Sequence, residues 1–197
     1  MIFKRFALVL LSFLAACAPL AQAAPTTAPS PSPGGTVTPT EAQIAAQYPD
    51  LGPAPELENT VWLNTPHPLH LADLRGQVVL LEMWTFDCIN CQHVIPSLRD
   101  WYGKYHAQGF EVIGNHFPEF ETERDLANLK DAIQRLDISY PVAQDNDGVT
   151  WNAYHNAYWP TIYLIDKRGH LRYTHIGEGA YPETESAIQA LLAEPGS

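Results

Sequence analysis

Two cysteines, Cys88 and Cys91, stand where an apolar run gives way to a helical pattern. The run is Val78-Val79-Leu80-Leu81-Glu82-Met83, apolar except for Glu82. Beyond the pair, Cys91, Val94, Ile95, Leu98, Tyr102 and Tyr105 recur on one helical face. A buried strand, a tight turn and a helix opening on Cys-x-x-Cys is an arrangement suited to thiol chemistry. At the helix start Cys88 would meet unpaired backbone N–H groups and the positive end of the helix dipole, both of which favour thiolate. Cys91, one turn further in, would be more buried and within reach to resolve a mixed disulfide. Two other readings use the same spacing. A zinc or copper carrier would employ Cys88, Cys91 and His93, but tetrahedral zinc needs a fourth ligand and no cysteine follows Cys91. A structural bridge closing so short a loop would constrain the unfolded chain little.

The 197-residue length allows one domain with extra segments, and 46% hydrophobic content is enough for a sizeable core. Lys4 and Arg5 precede the apolar stretch Phe6 to Ala16, the pattern of a secretory signal over residues 1–16. Leu14-Ala15-Ala16-Cys17 has the form of a lipobox, which would make Cys17 a lipidated first residue and anchor the chain to a membrane. Ala21-Gln22-Ala23 also fits ordinary signal cleavage, which would give a secreted soluble protein. Residues 17–50, rich in Pro, Thr and Ser, read as a disordered tether, and residues 51–197 as the folded domain. Without Lys4 and Arg5 the chain carries 9 basic side chains against 22 acidic ones, a formal charge of −13. That balance argues against nucleic acid as a partner.

Within the domain, Val61-Trp62-Leu63 and Leu69-His70-Leu71 read as a short hairpin, and Leu71 to Leu74 as a helical turn closed by Gly76. Val78 to Thr85, the helix from Cys88 to His106 and Glu111 to His116 make a βαβ unit. Thr122 is the expected N-cap of a helix carrying Leu126, Leu129, Ile133 and Leu136. A strand at Tyr140 to Ala143, a short helix at Gly148 to Tyr154, strands at Thr161 to Ile165 and Leu171 to Ile176, and a helix at Glu183 to Ala193 complete the order. The fold class is α/β, a mixed sheet flanked by helices.

The stretch Trp84-Thr85-Phe86-Asp87-Cys88-Ile89-Asn90-Cys91 resembles the active-site motif of the thioredoxin-like superfamily. It is most similar to the TlpA/ResA-type branch and to the thioredoxin-like domain of DipZ-type proteins. Pro96, Trp159-Pro160-Thr161 and Tyr163-Leu164-Ile165-Asp166 fall where that family has its helix proline, cis-proline loop and following strand. The resemblance spans Leu51 to Ala193 and implies a thioredoxin-like fold with the Asp125 to Leu136 helix inserted. It implies an extracytoplasmic thiol–disulfide oxidoreductase acting on disulfide-containing proteins through Cys88 and Cys91, with no cofactor beyond that disulfide. It also implies a CcdA- or DsbD-like membrane electron donor, a cis bond before Pro160, and substrate contact at Trp159, Pro160 and Thr161. Glu82 matches the family's buried acid. Burial would raise its pKa and let it exchange a proton with Cys91.

Asp87 beside Cys88 opposes the helix dipole, and no Lys or Arg lies between Arg75 and Arg99. A reductant or isomerase-side role is therefore expected rather than that of a strong oxidant. Thr85, three residues before Cys88, echoes the Thr-x-x-Cys of peroxiredoxin-like peroxidases, the alternative enzyme class, although Leu81 stands where their motif has proline. Asp145-Asn146-Asp147-Gly148 has the composition of a calcium loop. Aligned on its glycine, however, it puts Ala143 and Tyr154 at positions that need oxygen-rich ligands, so a turn is expected.

Overall fold

A computed structural model describes residues 40–195. The segment expected to be a signal, Cys17 and most of the expected tether lie outside the described residues. A six-stranded mixed sheet has the order β1-β4-β3-β2-β5-β6, built from β1 (Val61–Leu63), β2 (Val78–Trp84), β3 (Phe110–His116), β4 (Val142–Gln144), β5 (Thr161–Ile165) and β6 (Leu171–Ile176). β2 runs parallel to β3, and β3 to β4, while β1, β5 and β6 are antiparallel to their neighbours. The helices are α1 (Glu41–Gln47), α2 (Ile89–Tyr105), α3 (Leu126–Arg135), α4 (Val149–Ala153) and α5 (Tyr181–Ala193). The order is the thioredoxin-like one expected. No helix among the described residues is long and apolar enough to cross a membrane.

All of β2 is buried, which is why it reads as a continuous apolar run rather than an alternating one. Its residues still divide by face. Val78, Leu80 and Trp84 pack with α1, α2, α3 and α5 through Ile44, Cys91, Val94, Ile95, Leu98, Leu129, Ala132, Ile188 and Leu191. Val79, Leu81 and Met83 face Leu57, Leu71, Leu74, Trp151 and Tyr154 on the other side. By this alternation Glu82 points into the α2 layer.

Three expectations need correction. The folded domain begins before Leu51. Thr40 caps α1 in a reciprocal capping box with Gln43, and Ile44 and Tyr48 are buried in the core beside α5. The Tyr48 carbonyl also accepts two bonds from the buried Arg172 guanidinium. There is no 61–71 hairpin. Val61–Leu63 pairs with β4, while the chain from His70 to Gly76 forms turns, the last with Gly76 at φ +90°. The cap of α3 is Asp125, not Thr122. Its carboxylate accepts the N–H groups of Ala127 and Asn128 at 2.7 and 3.1 Å, and Glu121–Arg124 forms a separate 3-10 turn.

Candidate active site

The chain leaves β2 at Trp84 and turns through Thr85, Phe86 and Asp87. It enters α2 with Cys88 as N-cap, in extended conformation at φ −74° and ψ 110°. The Cys91 N–H donates to Cys88 Sγ at 3.2 Å, so the sulfur serves as the capping acceptor that a serine or aspartate usually provides. The two sulfurs form a disulfide, with the Cα atoms 5.3 Å apart. Cys91 is fully buried in the α2 layer and Cys88 only partly so. One sulfur of the pair is thus offered to a partner and the other is shielded beneath it. Pro96 lies inside α2 without ending it.

Beyond the paired ends of β2 and β5, the Trp159–Pro160 peptide is cis. Thr161 pairs with Met83 across the sheet, which brings this loop beside the turn that carries Cys88. The loop is held on three sides. Gly177 N–H donates to the Pro160 carbonyl at 2.8 Å, Thr161 Oγ1 donates to the Tyr158 carbonyl at 2.8 Å, and Trp159 Nε1 donates to the Phe117 carbonyl at 3.1 Å. Trp159 further stacks with Phe117 and packs at a tilt against Trp151, at centroid distances of 5.9 and 4.5 Å. The aromatic residues here pack on one another except Tyr158, which is mostly exposed, as are Ile176 opposite Thr161 and Ile89 next to Cys88.

Glu82 is fully buried, and neither carboxyl oxygen has a hydrogen-bond partner. Burial in an apolar layer disfavours the charged form and pushes its pKa up to about 8. Directly across the ladder is Gly114, where a Cβ would stand 2.8 Å from Trp84 Nε1. That glycine gives the Trp84 indole the space it occupies. His93 Nδ1 lies 3.0 Å from Glu178 on the β6–α5 loop. No group of three or more His, Cys, Asp or Glu among the described residues is placed to hold a metal. The Asp145–Gly148 segment is the expected turn, and the Asp145 carboxylate accepts the Thr150 and Trp151 N–H groups at the start of α4. Thr85 is fully buried, with its hydroxyl 3.3 Å from His116 Nε2.

Sequence reasoning missed a second buried acid, Glu123, on the 3-10 turn between β3 and α3. Its carboxylate accepts the N–H groups of Glu119 at 2.6 Å, Phe120 at 2.8 Å and Asp87 at 3.1 Å, the last from the turn before Cys88. Burial by itself would raise its pKa, but the Thr85 hydroxyl and these N–H groups outweigh burial and hold the carboxyl below its ordinary value. His116 beneath the turn stacks on Phe86 at 5.3 Å, and burial pushes its pKa down to about 4 despite the nearby Glu123 charge. A glutamate in a run of charged residues reads in sequence as surface. Phe120, the apolar residue inside the charged run, is itself mostly exposed and gives no signal of the buried glutamate beside it.

The arrangement defines a dithiol–disulfide centre on a thioredoxin-like sheet, and the chain belongs to the AhpC/TSA family, whose model matches residues 52–174. Its relatives include proteins named as thiol-disulfide oxidoreductases, YkuV and ResA. Protein DipZ of Mycobacterium tuberculosis is 45% identical over 174 residues, covering 83% of this chain and 25% of that protein. The thiol-disulfide oxidoreductase YkuV of Bacillus subtilis is 30% identical over 72% of this chain and 95% of its own length. The crystal structure of a thioredoxin-like superfamily protein superposes with a TM-score of 0.69 at 32% identity, covering 74% of this chain and 99% of that one. The chain spans about a quarter of the length of the DipZ relatives it matches.

Proposed function

We propose that this thiol–disulfide oxidoreductase works outside the cytoplasm as a reductant of protein disulfides. The single observation that carries the reading is the asymmetry of the pair, with Cys88 partly exposed at the helix start and Cys91 buried one turn below. In the reduced protein the Cys88 thiolate attacks one sulfur of a substrate disulfide. A Cys88–substrate bond forms and the other substrate sulfur leaves as a thiolate. The Cys91 sulfur, on losing its proton, then attacks Cys88 Sγ, closes the Cys88–Cys91 bond and expels the second substrate sulfur. Two electrons pass from the dithiol to the substrate, and the two protons end on the product thiols. By the alternation of β2 Glu82 points into the layer that holds Cys91, and with a pKa of about 8 its ionised fraction, minor near neutral pH and growing toward pH 8, is the base we assign to the Cys91 proton. Trp159, partly exposed beside the buried Pro160 and Thr161, is the part of this loop to which we assign pairing with an extended substrate segment.

The reaction as written uses no cofactor beyond the disulfide. Restoring the dithiol needs an external two-electron donor, which we assign to a membrane dithiol shuttle of the CcdA or DsbD class. A lipid on Cys17 would keep the domain near it. The test is the reduction potential of the purified protein in thiol redox buffers, read by cysteine alkylation. A value at or below about −220 mV supports a reductant, and one near about −120 mV overturns that direction. Membrane-fraction mass spectrometry of the expressed chain, with Cys17→Ser as control, tests the anchor. The peroxidase alternative predicts that peroxide consumption survives Cys91→Ser. The metal-carrier alternative predicts stoichiometric metal that is lost in Cys88→Ser.

A further inference from the structure

The segment Phe117–Glu123 touches both halves of the site. The Phe117 carbonyl accepts from Trp159 beside Pro160, and its N–H donates to the Trp84 carbonyl at the end of β2. Glu123 accepts from Asp87, 36 residues away in the chain and next to Cys88. The bonds from Glu119 and Phe120 close a local turn and would suffice to order it. The Asp87 bond does something else: it brings a buried negative charge to the turn that presents the reactive sulfur. Burying a carboxylate carries a desolvation cost of several kcal/mol unless bonds to it compensate. Here they do, and the acid stays ionised rather than taking up a proton as Glu82 does.

We propose that Glu123 is a positioning residue for the redox pair, fixing the Cys88 turn against the inserted segment and, through its charge, disfavouring the Cys88 thiolate. The inference rests on the dithiol reading of Cys88 and Cys91. The other charged or titratable groups around this turn are Asp87 and Glu119, which are exposed, His116, which is buried beneath Phe86, and the His93–Glu178 pair across the first turn of α2. Glu123 is the buried ionised member of that set. Its effect on Cys88 is therefore the least screened by solvent and salt.

The sign of the effect separates charge from scaffolding. A residue that merely orders the turn would, when lost, loosen Cys88 from the helix N-terminus and raise its thiol pKa. Removing a neighbouring negative charge lowers it. The test titrates Cys88 in the reduced full-length protein and in Glu123→Gln, by thiolate absorbance and by mass-mapped alkylation against pH. The expected result is a midpoint about one unit lower in the variant, with a thiolate fraction about tenfold higher at pH values below both midpoints. Glu123→Asp, which keeps the charge at shorter reach, should titrate close to the parent. A midpoint in folded Glu123→Gln that is unchanged or higher overturns the proposal. If Glu123→Gln does not fold, hydrogen exchange in the unaltered protein decides. Slow exchange at the Asp87 amide supports the bond, and exchange as fast as in an unprotected loop overturns it. Absence of any disulfide exchange by the unaltered protein would instead defeat the dithiol reading.

Discussion

Two glutamates, both fully buried within the span of one active site, meet opposite electrostatic fates. Glu82 points from β2 into the apolar layer beneath α2 and has no hydrogen-bond partner, so its pKa is pushed up to about 8. Glu123 sits at a turn where three backbone N–H groups and the Thr85 hydroxyl converge, and its carboxyl is held below the ordinary value. Both are closed to solvent, but Glu82 lies deep in an apolar layer while Glu123 sits in a shallower turn, where the donors within reach outweigh burial. The first acid is left able to exchange a proton near neutral pH, while the second is a fixed charge. In the proposed mechanism each kind has a use, the first toward the Cys91 proton and the second, through Asp87, at the turn that carries Cys88.

The largest effect that would break this contrast is expected at Glu82. With the folded pKa at about 8 and the ordinary value at 4.5, the folded protein holds a proton that the unfolded chain has already lost above pH 4.5. Stability therefore falls as pH rises from 4.5 and levels off above 8. The cost at high pH is on the order of 5 kcal/mol. Glu82→Gln should remove that slope, raising Tm at alkaline pH in thermal melts. The same variant should slow the step in which Cys91 resolves the mixed disulfide by roughly a hundredfold and flatten its pH profile. A variant with parental melting curves and rates at every pH would place the carboxyl in water rather than in the core.

Glu123 should show the reverse dependence. Its folded pKa is lowered, so its contribution is present above the ordinary carboxyl value and is lost as pH falls through the folded value. Glu123→Gln puts an amide group where an N–H must be accepted and should cost about 1–3 kcal/mol near neutral pH. The loss relative to the parent should shrink in acid. Parallel denaturant titrations at acid and neutral pH measure it. An equal loss at both would reduce Glu123 to a shape-filling residue.

The two acids were not equally legible in the sequence. Glu82 interrupts a continuous apolar run, so its burial could be read directly, as could the parallel β2–α2–β3 unit whose periodicity is local. Glu123 lies among Glu119, Glu121, Arg124 and Asp125, and its partner Asp87 is 36 residues away; no local pattern encodes such a bond. The same reason explains the hairpin that is absent. Val61–Leu63 has strand character, but its partner is β4, supplied by residues some 80 positions on. Ile44 and Tyr48 escaped notice because a seven-residue helix after a Pro- and Thr-rich stretch offers few apolar positions from which to read a period.

Gly114 sharpens the contrast on the Glu82 side. A methyl group there would meet the Trp84 indole nitrogen at 2.8 Å and Tyr140 at 3.4 Å. The strand between Glu82 and the β3–α3 segment must then shift. Gly114→Ala should cost about 1–3 kcal/mol by overpacking. It should also alter the rate of Cys91 resolution more than the rate of Cys88 attack, as separated by stopped-flow mixing with a chromogenic disulfide. Equal effects on both steps would mean that the layer under α2 moves as one body with the Cys88 turn.

The smallest expected effect is at Asp125, and its value is as a control for Glu123. Asp125 caps α3 two residues after Glu123, accepting two N–H groups at an exposed position. Asp125→Ala should destabilise by about 1 kcal/mol, as loss of an N-cap usually does. It removes a negative charge from the same inserted segment and frays α3, which follows the Glu123 turn, but that charge faces water, where salt and solvent screen it. If Glu123 acts as a buried charge beside Cys88, then Asp125→Ala leaves the Cys88 titration in place while Glu123→Gln moves it. A thiol midpoint that shifted equally in both variants would mean that Cys88 responds to the order of the insert as a whole. The difference between the two acids at this site would then lie in packing rather than in charge.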